Sequence, residues 1–321
     1  MADIGHRQKM RVTRIPAVEL GDTDVTHWRQ IQQSCIHFES PYLSPEFTLL
    51  AAQARKNVYV SIIESDQGTA GYFSFEDFEG QGVPTGNMLS DCQGVVIAEG
   101  EGIDWCPADL IRQSGLAQWT FTNLIASQEP FHPYHRRVAP SHVISLRNGF
   151  SDYLTGKGSQ TARKSLARER RASRDIGPLR YEFHVQDGSA LNALLSCKSS
   201  RYKVTGHPDI FERSWTRDLL ERIHATQKQA FAGILSVLYA GDTAIAWHLG
   251  MRSHSVLHYW FPCYSPDFAS YSPGLLLLFR ILQSASDLGL RAVELGKGTE
   301  EYKLRFANAA TLVAEGVVHP T

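Results

Sequence analysis

Cysteine is scarce in this chain, and its spacing supports neither a disulfide framework nor a metal site. The five cysteines among 321 residues are far apart, and no two of them form a Cys-x-x-Cys pair. An odd number of scattered cysteines is typical of reduced thiols in a cytoplasmic protein. We therefore predict free thiols and a cytoplasmic location.

Long apolar runs and an excess of one charge are also lacking. No uninterrupted apolar stretch approaches the roughly 20 residues that a membrane-spanning helix needs, so any membrane association is predicted to be peripheral. The 32 basic and 33 acidic residues give a formal net charge of −1 and a pI of about 6.9. Because there is no global basic field, a nucleic acid partner is not predicted.

Motifs of three common enzyme classes are absent from the sequence. There is no Gly-x-Ser-x-Gly elbow, no His-Glu-x-x-His or paired Cys/His cluster, and no Gly-x-Gly-x-x-Gly opening a helix. These absences argue against a serine hydrolase, a metal site and a dinucleotide-binding fold.

The pattern of apolar residues and turns that is present indicates a mixed α/β protein. From residue 179 the chain reads strand, two helices, three strands, helix, strand, helix and strand, and the first half repeats this alternation loosely. The length suggests two domains. We predict an N-terminal domain at residues 1–155, a basic linker helix at 156–178 and a C-terminal domain at 179–321.

The predicted linker carries seven lysines and arginines against two acidic residues, with Leu166 as nearly its only large apolar residue. Such a run is most often a solvated helix face. Alternatively, it forms a cradle for an anionic ligand at a cleft between the two halves, where Arg168 would contact the substrate.

The clearest functional pattern lies at residues 264–306. Ser272-Pro273-Gly274 precedes an apolar run that reads as a helix, and proline is well tolerated at a first helical position. The first-turn N–H groups of a helix lack internal partners and form an anion site. A short strand, a glycine turn and a second helix follow. This arrangement predicts a ligand that carries phosphate.

Several of these segments resemble one family. Residues 246–250, 264–267, 271–274, 290–298 and 302–303 resemble the CelD-like subgroup of two-domain GNAT acyltransferases. That subgroup is associated with bacterial cellulose and exopolysaccharide synthesis and is related to the FemAB transferases. The resemblance implies tandem GNAT-like domains, each a mixed and mostly antiparallel sheet flanked by helices, with a cleft between them.

The resemblance also implies a donor site. Acetyl-CoA or a longer acyl-CoA would place its pyrophosphate at the Ser272-Pro273-Gly274 turn, although this loop has one glycine where the family pattern has more. The N-terminal domain would be degenerate and would wall the acceptor pocket. The implied cofactor-binding residues are Tyr271, Ser272, Pro273, Gly274, Leu275 and Lys303.

Three residues are candidates for catalysis. Tyr302 falls where many GNAT enzymes have a tyrosine that protonates the departing thiolate as general acid. The acceptor ammonium must lose a proton before it attacks, and His248 on a central strand is a candidate base. Glu294 is a rival, since it would face the cleft if Val293 and Leu295 face the core.

The implied reaction is transfer of an acyl group to the amine of an amino sugar, nucleotide- or lipid-linked, by a monomer or homodimer. Two alternatives stay open: a FemAB-type transferase that uses aminoacyl-tRNA, and a non-enzymatic nucleotide sensor that regulates polysaccharide export. The candidate substrate-binding residues are Tyr42, Asp91, Tyr264, Asp267 and Arg168.

Overall fold

A computed structural model describes residues 8–98 and 103–320 of the chain. The chain divides into two compact units, one formed by residues up to 140 together with 312–321, the other by residues 141–311. The second unit thus begins ahead of the predicted linker helix, which lies inside it. The end of the chain belongs to the first unit.

The first unit is a mostly antiparallel sheet with three helices. Its strands and helices are β1 (Gln8–Lys9), β2 (Arg11–Pro16), α1 (Asp22–Ser34), α2 (Pro45–Ala54), β3 (Val58–Ser65), β4 (Gly68–Phe78), β5 (Gln81–Pro84), β6 (Val96–Ile97), β7 (Ile103–Asp104), α3 (Pro107–Gln113), β8 (Gln118–Ile125), the start of β9 (His135–Ser145) and the end of β15 (Ala309–Val318). The main order is β2-β3-β4-β5-β8, with β15 antiparallel to β8; only β5 and β8 pair in parallel among these.

Aromatic side chains fill the core of this unit. Phe73, Trp119, Phe121 and Phe131 are each at most 1% exposed and contact one another edge to face or tilted. Fully burying a side chain of this size stabilises the fold by about 1.5–3 kcal/mol.

The second unit is a mixed sheet with helices on both faces. Its elements are the end of β9, α4 (Gly149–Thr155), α5 (Gly158–Ile176), β10 (Leu179–Glu182), α6 (Gly188–Thr205), α7 (Ser214–Ala225), β11 (Ala232–Ala240), β12 (Thr243–Arg252), β13 (Val256–Tyr264), α8 (Pro273–Asp287), β14 (Ala292–Lys297), α9 (Glu301–Phe306) and the start of β15. The strand order is β10-β11-β12-β13-β14-β9, and only the β13–β14 pair is parallel.

Helix α8 lies at the centre of this unit's core. Leu277, Ile281 and Leu282 are fully buried and belong to one cluster with Leu257 and Val293 of the sheet. The helix is amphipathic at a 3.6-residue period, which is why one face of the apolar run packs on the strands.

The predicted α/β class is confirmed, and the predicted element order of the second half is the observed one. Two predictions for the first half are wrong. The glycine- and acid-rich stretch 76–91 predicts an irregular loop, but it contains the end of β4 and all of β5. Residues 132–137 also predict a loop, but β9 begins at His135. Both segments form strands because backbone pairing with neighbours overrides their weak local pattern.

The prediction of reduced thiols is wrong for two cysteines. Cys197 of α6 and Cys263 of β13 form a disulfide, with Cα atoms 6.5 Å apart, across 66 residues of sequence. Sequence spacing could not reveal the pair, because packing of α6 against β13 brings the residues together. Cys35, Cys92 and Cys106 form no disulfide among the residues that the structure describes.

Within residues 8–98 and 103–320, no helix combines the length and the apolar character that crossing a bilayer would require.

Candidate functional site

Two neighbouring strands of the second unit part from each other and open a gap. Parallel pairing of β13 with β14 covers only three positions and ends at His258 opposite Glu294. Beyond that point β13 continues beside β12, and β14 continues beside β9. Strand edges that face each other without pairing present N–H and C=O groups that a ligand can bind.

A bulge lies in β13 next to this gap. Its register against β12 moves by one residue between Leu249 and Met251. As a result, Tyr259 belongs to the core under α8, whereas Phe261 contacts Phe211 and Cys263 reaches α6. The bulge therefore reverses the side-chain orientation along the second half of β13. As a result, the side chains of Tyr259 and Phe261, two residues apart, lie on opposite faces of the sheet.

The N-terminus of α8 adjoins the end of β13. The helix begins at Pro273, as predicted, and its N-cap Ser272 has φ of 55°. A non-glycine residue in the left-handed region is uncommon and concentrates at functional sites. A Cβ on Gly274 would lie 3.4 Å from the Tyr264 ring, so this glycine brings the backbone close to that side chain.

Helix α5 supplies a cation to the same loop. The Arg171 guanidinium donates a hydrogen bond to the Ser270 carbonyl and lies 5.1 Å from the centre of the Tyr271 ring. Leu275 is partly buried against the core. Arg168, predicted as a substrate contact, is partly buried on α5 and has no ion pair among the residues the structure describes. The sequence indicated the basic helix but not that Arg171 is the residue on the loop.

Two predicted catalytic residues lie on the α8 face of the sheet. The Tyr302 ring is half-buried against the core, 6.3 Å from the Tyr259 ring and edge to face with it. The His248 imidazole stacks on the other side of this network, 4.1 Å from the Tyr259 ring. Tyr259 thus connects the two predicted residues.

His248 is completely buried, and neither ring nitrogen has a hydrogen-bond partner among the residues that the structure describes. Burial lowers the pKa of its imidazole well below the ordinary value, with a smaller contribution from His258. Close to neutral pH the ring is therefore uncharged. It cannot reach a ligand in solvent directly in this arrangement, which fits a positioning role under Tyr259 better than a direct one.

The third predicted catalytic residue faces the other side of the sheet. Val293 and Leu295 are buried in the core under α8, so Glu294 between them points away, as the sequence predicted. Its carboxylate lies 3.6 Å from His258 Nδ1, and its side chain keeps 20% of its exposure. Glu294 is thus an accessible carboxylate where the strands part.

Lys303 was predicted to bind the donor, but its ammonium is used inside the protein. It donates to the Lys297 carbonyl at 2.7 Å and lies 3.2 Å from Glu300, with only 6% of the residue exposed. Gly298 lies beneath this group, where a Cβ would be 2.8 Å from the Lys303 nitrogen. His142 also donates to the Gly298 carbonyl at 3.0 Å. Lys303 therefore clamps the loop that carries α9 and Tyr302.

The other predicted substrate residues are spread over the chain. Asp267 is exposed in the loop before α8, and Tyr264 ends β13. Tyr42 and Asp91 lie in the first unit, where Tyr42 is 3% exposed and lines a small pocket with Ser90. The roles of all these residues stay predictions.

Two cations that the sequence analysis overlooked lie on α6. Lys198 is half-buried with its nitrogen 5.3 Å from the Tyr202 ring and 5.9 Å from the Phe261 ring. The Arg201 guanidinium lies 5.4 Å from the Tyr264 ring. Nothing in the local sequence distinguishes these residues from the other cations of the helix. They differ only in lying close to β13, which the tertiary structure shows.

Comparison with known families agrees with this geometry. Residues 160–304 match the family described as acetyltransferase (GNAT) domain, a stretch that contains the parted strands, the start of α8 and Tyr302. The match and the fold define the class of the protein as an acyltransferase. Residues 160–304, the matched stretch, are of the GNAT type.

Solved structures show the same fold at low sequence identity. FemX matches with a TM-score of 0.60 and 9% identity over 95% of this chain and 96% of that one. The C-terminal domain of an Agrobacterium fabrum protein described as a lysylphosphatidylglycerol synthetase matches with 0.58 and 12% over 91% and 92%. A tandem GNAT protein from the clavulanic acid biosynthesis pathway matches with 0.51 and 9% over 97% and 99%. The comparison with curated proteins found no match.

Proposed function

We propose that the protein transfers an acyl group from acetyl-CoA or a longer acyl-CoA to the amine of an amino sugar. The single observation that carries this proposal is the gap between β13 and β14, which has the α8 N-terminus at the end of one strand and Tyr302 just after the other. A thioester and an amine could meet there with an acid and a base on opposite sheet faces.

The residues beside the gap fit an acyl-CoA donor. The first-turn N–H groups of α8 suit a pyrophosphate, and Gly274 leaves room for it to approach. Arg171 of α5 adds a positive charge to the loop just ahead of the helix. When bound, acyl-CoA would supply a carbonyl already activated as a thioester. Tyr271, Ser272, Pro273 and Leu275 would shape this site, and Lys303 would hold the neighbouring loop.

The proposed base and the proposed acid lie on opposite faces of the sheet, and each would carry out one proton transfer. Glu294 would accept a proton from the acceptor ammonium, directly or through one water, and the free amine would then attack the thioester carbonyl. As the new C–N bond forms and the C–S bond breaks, the Tyr302 hydroxyl would give its proton to the sulfur. His248 would position Tyr259, and through it Tyr302.

The acceptor is the finer part of the proposal. We infer a nucleotide- or lipid-linked amino sugar of bacterial envelope or exopolysaccharide synthesis. The support is the resemblance of segments such as 264–267 and 271–274 to CelD-like transferases. Tyr264, Asp267 and Arg168, all of the second unit, are proposed acceptor contacts.

Release of free thiol tests the reaction. The purified chain would be incubated with acetyl-CoA or a longer acyl-CoA and a panel of amino sugars, and thiol would be measured against a reaction without acceptor. We expect acceptor-dependent release that disappears in Tyr302→Phe. No release with any donor and acceptor would contradict the proposal.

A second candidate is a transferase that takes its acyl group from aminoacyl-tRNA. The observation that favours it is the exposed basic face of α5, with Arg163, Lys164 and Arg170 in solvent. RNA binding by such a face should weaken steeply with salt. A gel shift with tRNA at about 50 and 200 mM salt would separate the candidates, since the acyl-CoA enzyme requires no such binding.

A further inference from the structure

Helix α6 presents two cations beside the parted strands, on the sheet face opposite α8. Lys198 and Arg201 are three residues apart and so share one side of the helix. The disulfide between Cys197 and Cys263 ties this part of α6 to β13. The helix segment that carries the two positive charges is therefore fixed against β13, with Lys198 half-buried and Arg201 exposed.

Neither cation forms an ion pair within the described part of the chain. Both lie against aromatic rings, Lys198 near Tyr202 and Phe261, and Arg201 near Tyr264. Lys203 on the same helix, by contrast, lies 3.5 Å from the Glu212 carboxylate. A half-buried lysine that forms no ion pair is costly to keep charged, which makes this place a candidate functional site.

The position of Lys198 connects it to both sides of the gap. Phe261 belongs to β13 after the strands part, and Glu300, which follows β14, is close enough to attract the Lys198 charge. Glu300 itself is paired with Lys303 at 3.2 Å. Burial, together with Arg201, lowers the pKa of Lys198 to about 8, so the ammonium is still the main form at pH 7.

We propose that Lys198 and Arg201 bind an anionic group of the acceptor, a carboxylate or a phosphate, and hold its amine at the gap between β13 and β14. This inference rests on the proposed function, because it specifies the acceptor of the same reaction. Glu294 faces the same side of the sheet, so an acceptor anchored by its anion would present its ammonium to a carboxylate. The acceptor class is therefore an amine that carries an acidic group, not a neutral amino sugar.

Binding without the donor tests the anion site directly. Calorimetry would compare glucosamine 6-phosphate, muramic acid and glucosamine, which lacks an anionic group, on the full chain, with inorganic phosphate as competitor. We expect one anionic amine to bind about 10- to 100-fold more tightly than glucosamine, as for a charge-assisted hydrogen bond. The phosphate and carboxylate arms identify which anion is preferred.

Two variants test the cations, Lys198→Met and Arg201→Gln. Arg201 is exposed, so its replacement leaves the core unchanged. Each should lose most of the preference for the anionic amine, whereas Lys203→Met, on the same helix but paired with Glu212, should keep it. If Lys198→Met does not fold, Arg201→Gln still decides. Equal binding of all three amines by the unaltered chain, or unchanged preference in Arg201→Gln, would overturn the inference.

Thiol release separates this inference from the proposed function. Release with glucosamine and no preference for either anionic amine would support the reaction and refute the anion site. Tight binding of an anionic amine that is lost in Lys198→Met, without thiol release for any acceptor, would support the anion site and contradict the reaction.

Discussion

Replacing Lys303 with methionine distinguishes two roles for this residue, holding the loop before α9 or binding the acyl-CoA donor. The ammonium donates to the Lys297 carbonyl at 2.7 Å and pairs with Glu300 at 3.2 Å, and the residue is 6% exposed. Methionine keeps much of the stem volume and removes the charge. If Lys303 bound the pyrophosphate, the main loss would be in acyl-CoA affinity. If it clamps the loop, the main loss would be in stability.

The size of the stability loss follows from the two contacts. A hydrogen bond that involves a charged group contributes about 1.5–3 kcal/mol. Because methionine also buries apolar surface, we expect a net loss of about 2 kcal/mol. For a unit of this size that corresponds to a melting temperature lower by about 4–8 °C.

Differential scanning calorimetry and acyl-CoA titration check this together. Lys303→Met should melt several degrees lower and bind acyl-CoA within about threefold of the unaltered chain, with reduced turnover because α9 and Tyr302 are less well held. Lys228→Met, an exposed lysine of the same unit, is the control and should match the unaltered chain. An unchanged melting temperature with acyl-CoA affinity weakened tenfold or more would refute the clamp and restore the donor role.

Three further predictions concern the gap and its surroundings. Tyr302→Phe keeps the ring against Tyr259 and should lower kcat by about 10²–10⁴-fold, with KM for acyl-CoA and melting temperature unchanged, in steady-state thiol release. Gly274→Asp adds a negative charge at the α8 N-terminus and should raise KM for acyl-CoA at least tenfold with little effect on kcat. The folded-state pKa of His248 is depressed, so its contribution to stability is present above the unfolded pKa near 6.5 and is lost as pH falls below it. Because the folded state then binds fewer protons than the unfolded state, His248→Gln should flatten the pH dependence of denaturant unfolding by up to one proton.

For each of these three predictions, one experimental result would contradict the reasoning behind it. Full activity in Tyr302→Phe would remove the general acid from the mechanism. An unchanged KM in Gly274→Asp would place the pyrophosphate elsewhere. An identical stability slope in His248→Gln and the unaltered chain would mean that the imidazole is not kept neutral in the folded state. The other histidines with lowered pKa, His135, His184 and His254, remain in both proteins and do not affect the difference.

Local sequence predicted α8 well because its signals agree. Proline at the first position, a 3.6-residue apolar period and a glycine after the end all indicate the same helix, which the structure has at Pro273–Asp287. The same holds for the alternation Val293, Glu294, Leu295, whose faces are as predicted. The segment at 76–91 has no such agreement, and its strand pairing was not predicted.

The sequence by itself determined the class of fold and the start of α8, because these depend on residues close together in the chain. The candidate role of Tyr302 as an acid is what the family resemblance implies. Only the tertiary structure decided which cations are available to a ligand. Lys303 looked free and is clamped, whereas Lys198 and Arg201 were unremarked and lie beside the gap. Cys197 and Cys263 are 66 residues apart, and His142 and Gly298 are 156 apart. Contacts at such separations are set by how the sheet and helices pack, and no local pattern encodes them.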